Sequence, residues 1–202
     1  MSNKAILNVN HEPKIIDGPH DLGLLKDKEA NSTCIIFANP KPTVTWYQNT
    51  KQLTTKDGFK FISDDSNNKY TFTIPKLLEK YGGIYTVKAS NNYGNVEKTF
   101  VIEVFELPKV VNKLPNMMVC EGDRVDFLVS FKGNPKPDIK WFRNDEEIIL
   151  DEKFEVNKSN ISQMKFSIIC CQSHIDSGTY HSKVFNQYGE SLSNQAILII
   201  NS

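Results

Sequence analysis

The feature that most constrains this chain is the run from Val129 to Trp141, which reads Val-Ser-Phe-Lys-Gly-Asn-Pro-Lys-Pro-Asp-Ile-Lys-Trp. Apolar and polar residues alternate, stop at Gly133-Asn134-Pro135-Lys136-Pro137, and resume to end on a Trp. Alternation at period two marks a half-buried strand. Prolines lack a backbone N–H and cannot sit inside a sheet ladder, so the chain must cross there. The pattern reads strand, turn, strand, with the indole on the inward side. It occurs earlier as a hairpin-like run, Cys34-Ile-Ile-Phe-Ala-Asn-Pro-Lys-Pro-Thr-Val-Thr-Trp46.

The two copies keep one register. Trp46 and Trp141, Pro40 and Pro135, Tyr85 and Tyr180, Gly94 and Gly189, and Pro13 and Pro108 are each 95 residues apart. Solenoid repeats run to roughly 20–50 residues, so a unit of this size is a whole domain. The expected organisation is a lead over 1–12, one domain over 13–105 and a second over 106–202. Residues 1–106 carry 13 basic and 12 acidic side chains, and the remainder 11 and 12. Neither half has a basic surface to drive binding to nucleic acid or an anionic membrane, so neither partner class is indicated.

The lead, Met1 to Asn10, is too polar and interrupted for a secretory signal, and no later run approaches the length of a membrane span. Ser2-Asn-Lys-Ala-Ile-Leu-Asn-Val-Asn10 resembles Ser193-Asn-Gln-Ala-Ile-Leu-Ile-Ile-Asn201, and it precedes Phe100-Val-Ile-Glu-Val104 by the same 95 residues. It reads either as the last strand of a preceding unit, or as a disordered lead whose short apolar run matches by chance. On the first reading Met1 is internal, and a missing signal peptide says nothing of the parent's compartment.

Within the first unit, Pro13-Lys-Ile-Ile16 suits an edge strand, Phe59-Lys-Phe61 a short strand, and Tyr70-Thr-Phe-Thr-Ile74 a strand with Tyr70, Phe72 and Ile74 inward. The stretch Tyr81-Gly-Gly-Ile-Tyr85-Thr-Val87-Lys-Ala89-Ser-Asn91-Asn-Tyr-Gly94 then answers Asp176-Ser-Gly-Thr-Tyr180-His-Ser182-Lys-Val184-Phe-Asn186-Gln-Tyr-Gly189.

At these residues both units resemble immunoglobulin domains of the intermediate set, the I-set, over nearly the whole chain from Pro13. The family pattern has Cys on strand B, Gly-x-Pro-x-Pro in the BC loop, Trp on strand C, and Asp-x-Gly-x-Tyr-x-Cys-x-Ala-x-Asn-x-x-Gly across strands F and G. The resemblance implies an all-β fold: two Greek-key β-sandwiches in tandem with a short linker. Trp46 and Trp141 would fill the cores. Tyr85 and Tyr180 would form tyrosine corners, each bonding its hydroxyl to upstream backbone.

The departures from the pattern carry the most chemistry. The positions of the intersheet disulfide hold Cys34 with Val87 in the first unit and Val129 with Ser182 in the second, and neither pair can bridge. Loss of the same bond twice suits a compartment that keeps thiols reduced. Cys120, Cys170 and Cys171 have no zinc-site spacing; Cys170 and Cys171, adjacent on a strand, should face opposite sides. Tyr81 stands where the family has the Asp that pairs with a base at the bottom of the sandwich. Asp176 keeps that Asp, with Arg124 or Lys153 as expected partners. The second unit's strand E is out of phase with Asp176, which predicts a one-residue shift or bulge.

Catalytic constellations are absent from the sequence. The four histidines, His11, His20, His174 and His181, are scattered and read as surface residues; Asp145-Glu-Glu147 and Asp151-Glu152 read as solvated turns. No convincing helix or phosphate-binding loop is present, and no cofactor or metal is expected. Three glycosylation triplets begin at Asn31, Asn157 and Asn160. Between Val104 and Pro108 only Phe105-Glu-Leu107 intervenes; Phe105 and Leu107 are apolar and are expected to pack between the domains near Tyr188.

The resemblance extends to giant intracellular muscle proteins similar to titin, twitchin and obscurin. It implies a non-catalytic spacer, mechanical element and docking surface for sarcomere or cytoskeletal proteins, in the cytoplasm at the myofibril. Such proteins can carry a kinase domain, but no kinase residues occur here. The alternative is an ectodomain segment of a cell-adhesion or axon-guidance receptor, disfavoured by the missing disulfides and weakly favoured by the triplets.

Overall fold

The computed structural model describes residues 9–160 and 162–202, so residues 1–8 of the expected 1–12 lead fall outside the described residues. The chain divides into two compact units between Val104 and Phe105.

In the first unit β1 (His11–Asp17), β3 (Ala30–Asn39), β7 (Lys69–Ile74) and β6 (Lys60–Asp64) form one sheet in the order β1-β3-β7-β6. The opposing sheet runs β9-β8-β4-β5, from β9 (Gly94–Val110), β8 (Gly83–Asn91), β4 (Thr43–Gln48) and β5 (Lys51–Gln52), with β2 (Leu22–Leu25) beside β9. Pro13 falls where the β1–β3 register shifts, as a residue without an N–H must on an edge strand. The Cys34–Trp46 run is not a hairpin: β3 pairs with β1 and β7, and β4 with β8 and β5. The turn at Pro40 and Pro42 carries the chain from one sheet to the other, because its prolines cannot extend a ladder.

The second unit repeats this plan. Residues 106–110 of β9 pair with β11 (Val125–Asn134), and the sheet continues through β15 (Gln163–Ile168) to β14 (Phe154–Asn160). The other sheet runs β10-β18-β16-β12-β13, from β10 (Met117–Cys120), β18 (Ala196–Asn201), β16 (Gly178–Asn186), β12 (Asp138–Arg143) and β13 (Glu146–Glu147); β17 (Gly189–Leu192) also pairs with β16. One turn of helix, α1 (Ser173–Asp176), precedes β16, at a place with no helical pattern in the sequence. Four residues are too few to show a 3.6-residue period.

Alternation places the cores. Ala30, Ser32, Cys34 and Ile36 are the buried set of β3, and Val125, Phe127, Val129 and Phe131 that of β11. Trp46 packs on Phe72 with ring centroids 4.9 Å apart, and Trp141 on Phe166 at the same distance. Tyr70, Phe72 and Ile74 are buried together. At about 25 cal/mol per Å² of apolar surface removed from water, aromatic side chains of 150–250 Å² each dominate such a core.

The phase slip of strand E is resolved outside the ladder. Ile74 faces Ala30 in the first unit, whereas Ile168, one residue short of the 95-residue spacing, faces Val125 in the second, and the β11–β15 register is unbroken. The residue regained before Asp176 lies in the bend that follows β15, where Cys170 adopts a left-handed φ of 56°. Cys171 is buried and Cys170 exposed. They sit in this bend rather than on a strand, so the turn, and not strand alternation, separates their faces. A second slip occurs at residues 193–195, where the closing strand breaks into β17 and β18. Phe100 faces Tyr85, but Ala196, one residue beyond the spacing, faces Tyr180. The Asn194 side chain holds this break, accepting from Leu114 N at 2.8 Å and donating to Leu114 O at 2.9 Å.

Candidate functional site

Four features can bear on function: the intersheet positions, the tyrosine corners with the ion pair beneath one of them, the FG loops, and an open-edge cleft. At the intersheet positions, Cys34 and Val87 come from opposing sheets, as do Val129 and Ser182, and all four are buried. Trp46 lies opposite Val87 in its ladder, and Trp141 opposite Ser182. The Cys34 thiol donates to Tyr70 O at 3.7 Å, and burial pushes its pKa up to about 12. Burial also raises Cys171, to about 11. A thiol reacts as the thiolate, so both side chains behave as small apolar fillers.

Tyr85 donates its hydroxyl to Tyr81 O and Tyr180 donates to Asp176 O, each at 2.7 Å. Burial raises both phenols well above their ordinary range. Asp176 is fully buried and takes Lys153 at 2.7 Å, with Arg143 at 3.7 Å. Of the two bases expected there, Lys153 arrives and Arg124 does not. Arg124 pairs with Asp126 and Glu155 on the outer face of the other sheet. Arg143 was invisible as a partner because it closes β12, and only the β12–β16 pairing brings it beneath the corner. In the first unit Tyr81 packs edge-on against Phe59 at 5.4 Å, so an aromatic contact stands where the second unit has an ion pair.

Around the FG loops, Phe105 stacks on Tyr188 with centroids 4.3 Å apart, and both residues belong to the second unit. Leu107 is exposed, with its side chain beside Gly189. Tyr93 is half exposed, and its hydroxyl accepts from Asn10 Nδ2 at 2.6 Å. Asn91 and Asn186 have a role that the repeated motif contained but did not reveal. Asn91 Nδ2 donates to both His11 O and Pro40 O at 2.9 Å; Asn186 Nδ2 donates to Glu106 O at 3.3 Å and Pro135 O at 2.9 Å.

An open cleft of about 530 Å³ lies at the edge of the first sandwich, with Trp46, Leu53, Phe61 and Tyr70 in its lining and Lys41 paired with Asp65 at 2.7 Å beside it. Its size suits a side chain or small apolar molecule, but no charged group is buried inside to orient one. Of the histidines, His181 is not a surface residue. It stacks on Phe142 at 4.9 Å with its ring nearly parallel, because β16 and β12 pair residue for residue there. Asn31, in the first glycosylation triplet, is the second residue of β3 and has both ends of its amide engaged, accepting from the Thr73 hydroxyl at 2.5 Å and donating to Glu29 at 3.0 Å. Among the described residues no group of His, Cys, Asp and Glu is arranged to hold a metal ion, and no helix is long and apolar enough to cross a membrane.

The family described as Immunoglobulin I-set domain matches residues 13–104 and 108–199. Among curated proteins, the chain is 24% identical over 192 residues to the muscle M-line assembly protein unc-89 of Caenorhabditis elegans, covering 94% of this chain and 2% of that protein. It is 25% identical over 190 residues to the human leucine-rich repeats and immunoglobulin-like domains protein 1, covering 93% and 17%. The chain is thus a small part of the length of either relative. Among solved structures, the I-band fragment I67-I69 from titin superposes with a TM-score of 0.71 at 21% identity, over 95% of this chain and 66% of that one.

Proposed function

The chain belongs to the immunoglobulin I-set family, and from that premise we propose that it is a non-catalytic pair of modules in a longer muscle or cytoskeletal polypeptide, serving as spacer, mechanical element and protein-docking surface in the cytoplasm. The observation that carries this reading is the pair of cores closed without sulfur bridges. Cys34 with Val87 and Val129 with Ser182 fill the intersheet site by packing alone. A disulfide in a small domain commonly contributes about 2–5 kcal/mol, and it is dispensable where the cytosol would reduce it.

The mechanical role rests on strand geometry. In the second unit β10 runs parallel to β18, with Met117 opposite Leu198 and Cys120 opposite Asn201. β10 lies near the start of the unit and β18 at its end, so a pull on the two termini slides these strands past each other. Their hydrogen bonds then share the load and break together, whereas a ladder opened from one end fails one bond at a time. The docking role draws on the likeness to an M-line assembly protein and on the exposed sheet faces.

Co-sedimentation with purified myofibrils tests this reading: retention in the pellet supports it. Release to the supernatant, together with a glycosidase-sensitive mobility shift after expression in secretory cells, supports the receptor alternative instead. The engaged amide of Asn31 disfavours that outcome at one of its three sites, because a glycan there would displace both hydrogen bonds.

A further inference from the structure

We propose that the first unit pairs with a second copy of this chain through the free edge of β6, strand against strand and antiparallel about a two-fold axis at Ile62. This contact goes beyond the docking role proposed above and is independent of compartment, since it uses the first sandwich alone.

The edge is the first observation. β6 ends its sheet in the order β1-β3-β7-β6 and pairs with β7 only. That register runs unbroken from Lys60 opposite Thr73 to Asp64 opposite Lys69, with neither a bulge nor a proline to blunt the edge. Phe61, Ile62 and Ser63 all line the cleft between this edge and the other sheet. Successive side chains of a strand point to opposite faces, so three in a row there mean that the backbone edge itself faces the opening. An open edge offers its N–H and C=O groups to an added strand.

The second observation says which strand. β6 reads Lys60-Phe-Ile-Ser-Asp64, and turned end for end about Ile62 it complements itself. Lys60 of one copy meets Asp64 of the other, and the symmetry makes this ion pair twice. Ile62, 62% exposed, meets its own counterpart. These three residues share the outer face, where they border one shallow groove. On the inner face Phe61 of one copy meets Ser63 of the other, whose ladder neighbour is Tyr70, so each ring caps the other copy's cleft. Both charges are available: neither Lys60 nor Asp64 has an ion-pair partner among the described residues. Asp64 accepts from Ser66 and Asn67 of its own turn, and these bonds hold its carboxyl down at about 2, so it stays charged. Opposite charges directly across an antiparallel pair attract, and like charges repel. The matching edge of the second unit, β14, has no such symmetry. Glu155 stands in the place of Lys60, is already held by Arg124 at 2.7 Å, and would meet Ser159 about Asn157.

Sedimentation equilibrium of the 202-residue chain tests the contact. The mass should rise reversibly with concentration from 23.0 kDa toward twice that value. A mass that stays at 23.0 kDa up to about 1 mM overturns the proposal and leaves the edge to some other protein's strand. Lys60→Glu sets acid against acid and Asp64→Lys sets base against base, so each alone should weaken pairing about tenfold or more. Mixed in equal amounts the two variants should recover it, because every altered charge then faces its opposite. Ile62→Glu, which leaves the turn at Asp64 intact, places like charges on the axis and should abolish pairing; circular dichroism checks that each variant is folded. A mixture as monomeric as its components, or a mass rise that Lys60→Glu and Ile62→Glu leave unchanged, assigns any association to another surface and overturns the proposal. Neither result bears on myofibril binding, so the two readings fail separately.

Discussion

Trp141 faces Ser182 across the β12–β16 ladder, and neither the indole Nε1 nor the serine Oγ has a hydrogen-bond partner among the described residues. In the first unit the corresponding pair is Trp46 and Val87, with no hydroxyl at the site. A buried hydroxyl without a partner loses its hydration and gains nothing in return. Ser182→Val should therefore stabilise the second unit by about 1–2 kcal/mol, the usual desolvation penalty of such a group. Urea unfolding with an unchanged m-value measures it, and a destabilised variant would mean that the site is too tight for the added methyl group.

Thiol reactivity should divide the cysteines by fold. Cys120 and Cys170 are exposed and Cys34 and Cys171 buried, so a neutral-pH reagent should modify the first two in minutes and the others only on unfolding. Burial raises the Cys34 pKa in the folded chain from 9.0 to about 12. The unfolded thiol therefore ionises first. Its contribution to stability is complete below pH 9 and is lost as the pH rises from 9 toward 12. Cys34→Ser should shrink the alkaline loss of the first unit and leave that of the second, where Cys171 is also raised by burial. An unchanged alkaline limb in the first unit would assign its loss to the buried Tyr85 instead.

The buried carboxylate of Asp176 makes Lys153 the most costly surface cation to remove. Lys153→Met should destabilise the second unit by about 3 kcal/mol, the low end for breaking a buried pair because Arg143 remains 3.7 Å away. Arg124→Met, which removes only exposed pairs, should cost under about 1 kcal/mol. Denaturation of both variants gives the comparison, and equal losses would contradict the placement of Lys153 beneath the corner.

Acid should weaken the second unit through Asp126. The Ser167 hydroxyl, then Lys165 and Arg124, hold its carboxyl below the ordinary carboxylate range. A lowered folded pKa gives stability that is full above the unfolded value near 4 and is lost as the pH falls through the folded value. Asp126→Asn should flatten that acid limb while lowering stability at pH 7. Identical acid limbs in the two proteins would assign the loss to other carboxylates.

Removing the corner hydroxyls should cost both units alike. Tyr85→Phe and Tyr180→Phe each delete one 2.7 Å bond to a backbone carbonyl, worth about 1 kcal/mol by the usual net value. The change should appear mainly as a lower midpoint in thermal unfolding of the affected unit.

The sequence by itself determined the architecture, because alternation at period two assigns each residue to a face and the 95-residue spacing repeats that assignment. The inward set of β3 and the buried indoles of Trp46 and Trp141 follow from face alone, and the two unbridgeable intersheet pairs from the resemblance to the I-set pattern. Alternation does not name a residue's neighbour across the ladder. Only the tertiary structure decided that Arg143 rather than Arg124 joins Lys153 at Asp176, that the strand E slip is absorbed at Cys170, and that His181 lies on Phe142. Each of these depends on pairing register and on the path of a turn, where a shift of one residue exchanges partners while leaving composition and spacing almost unchanged.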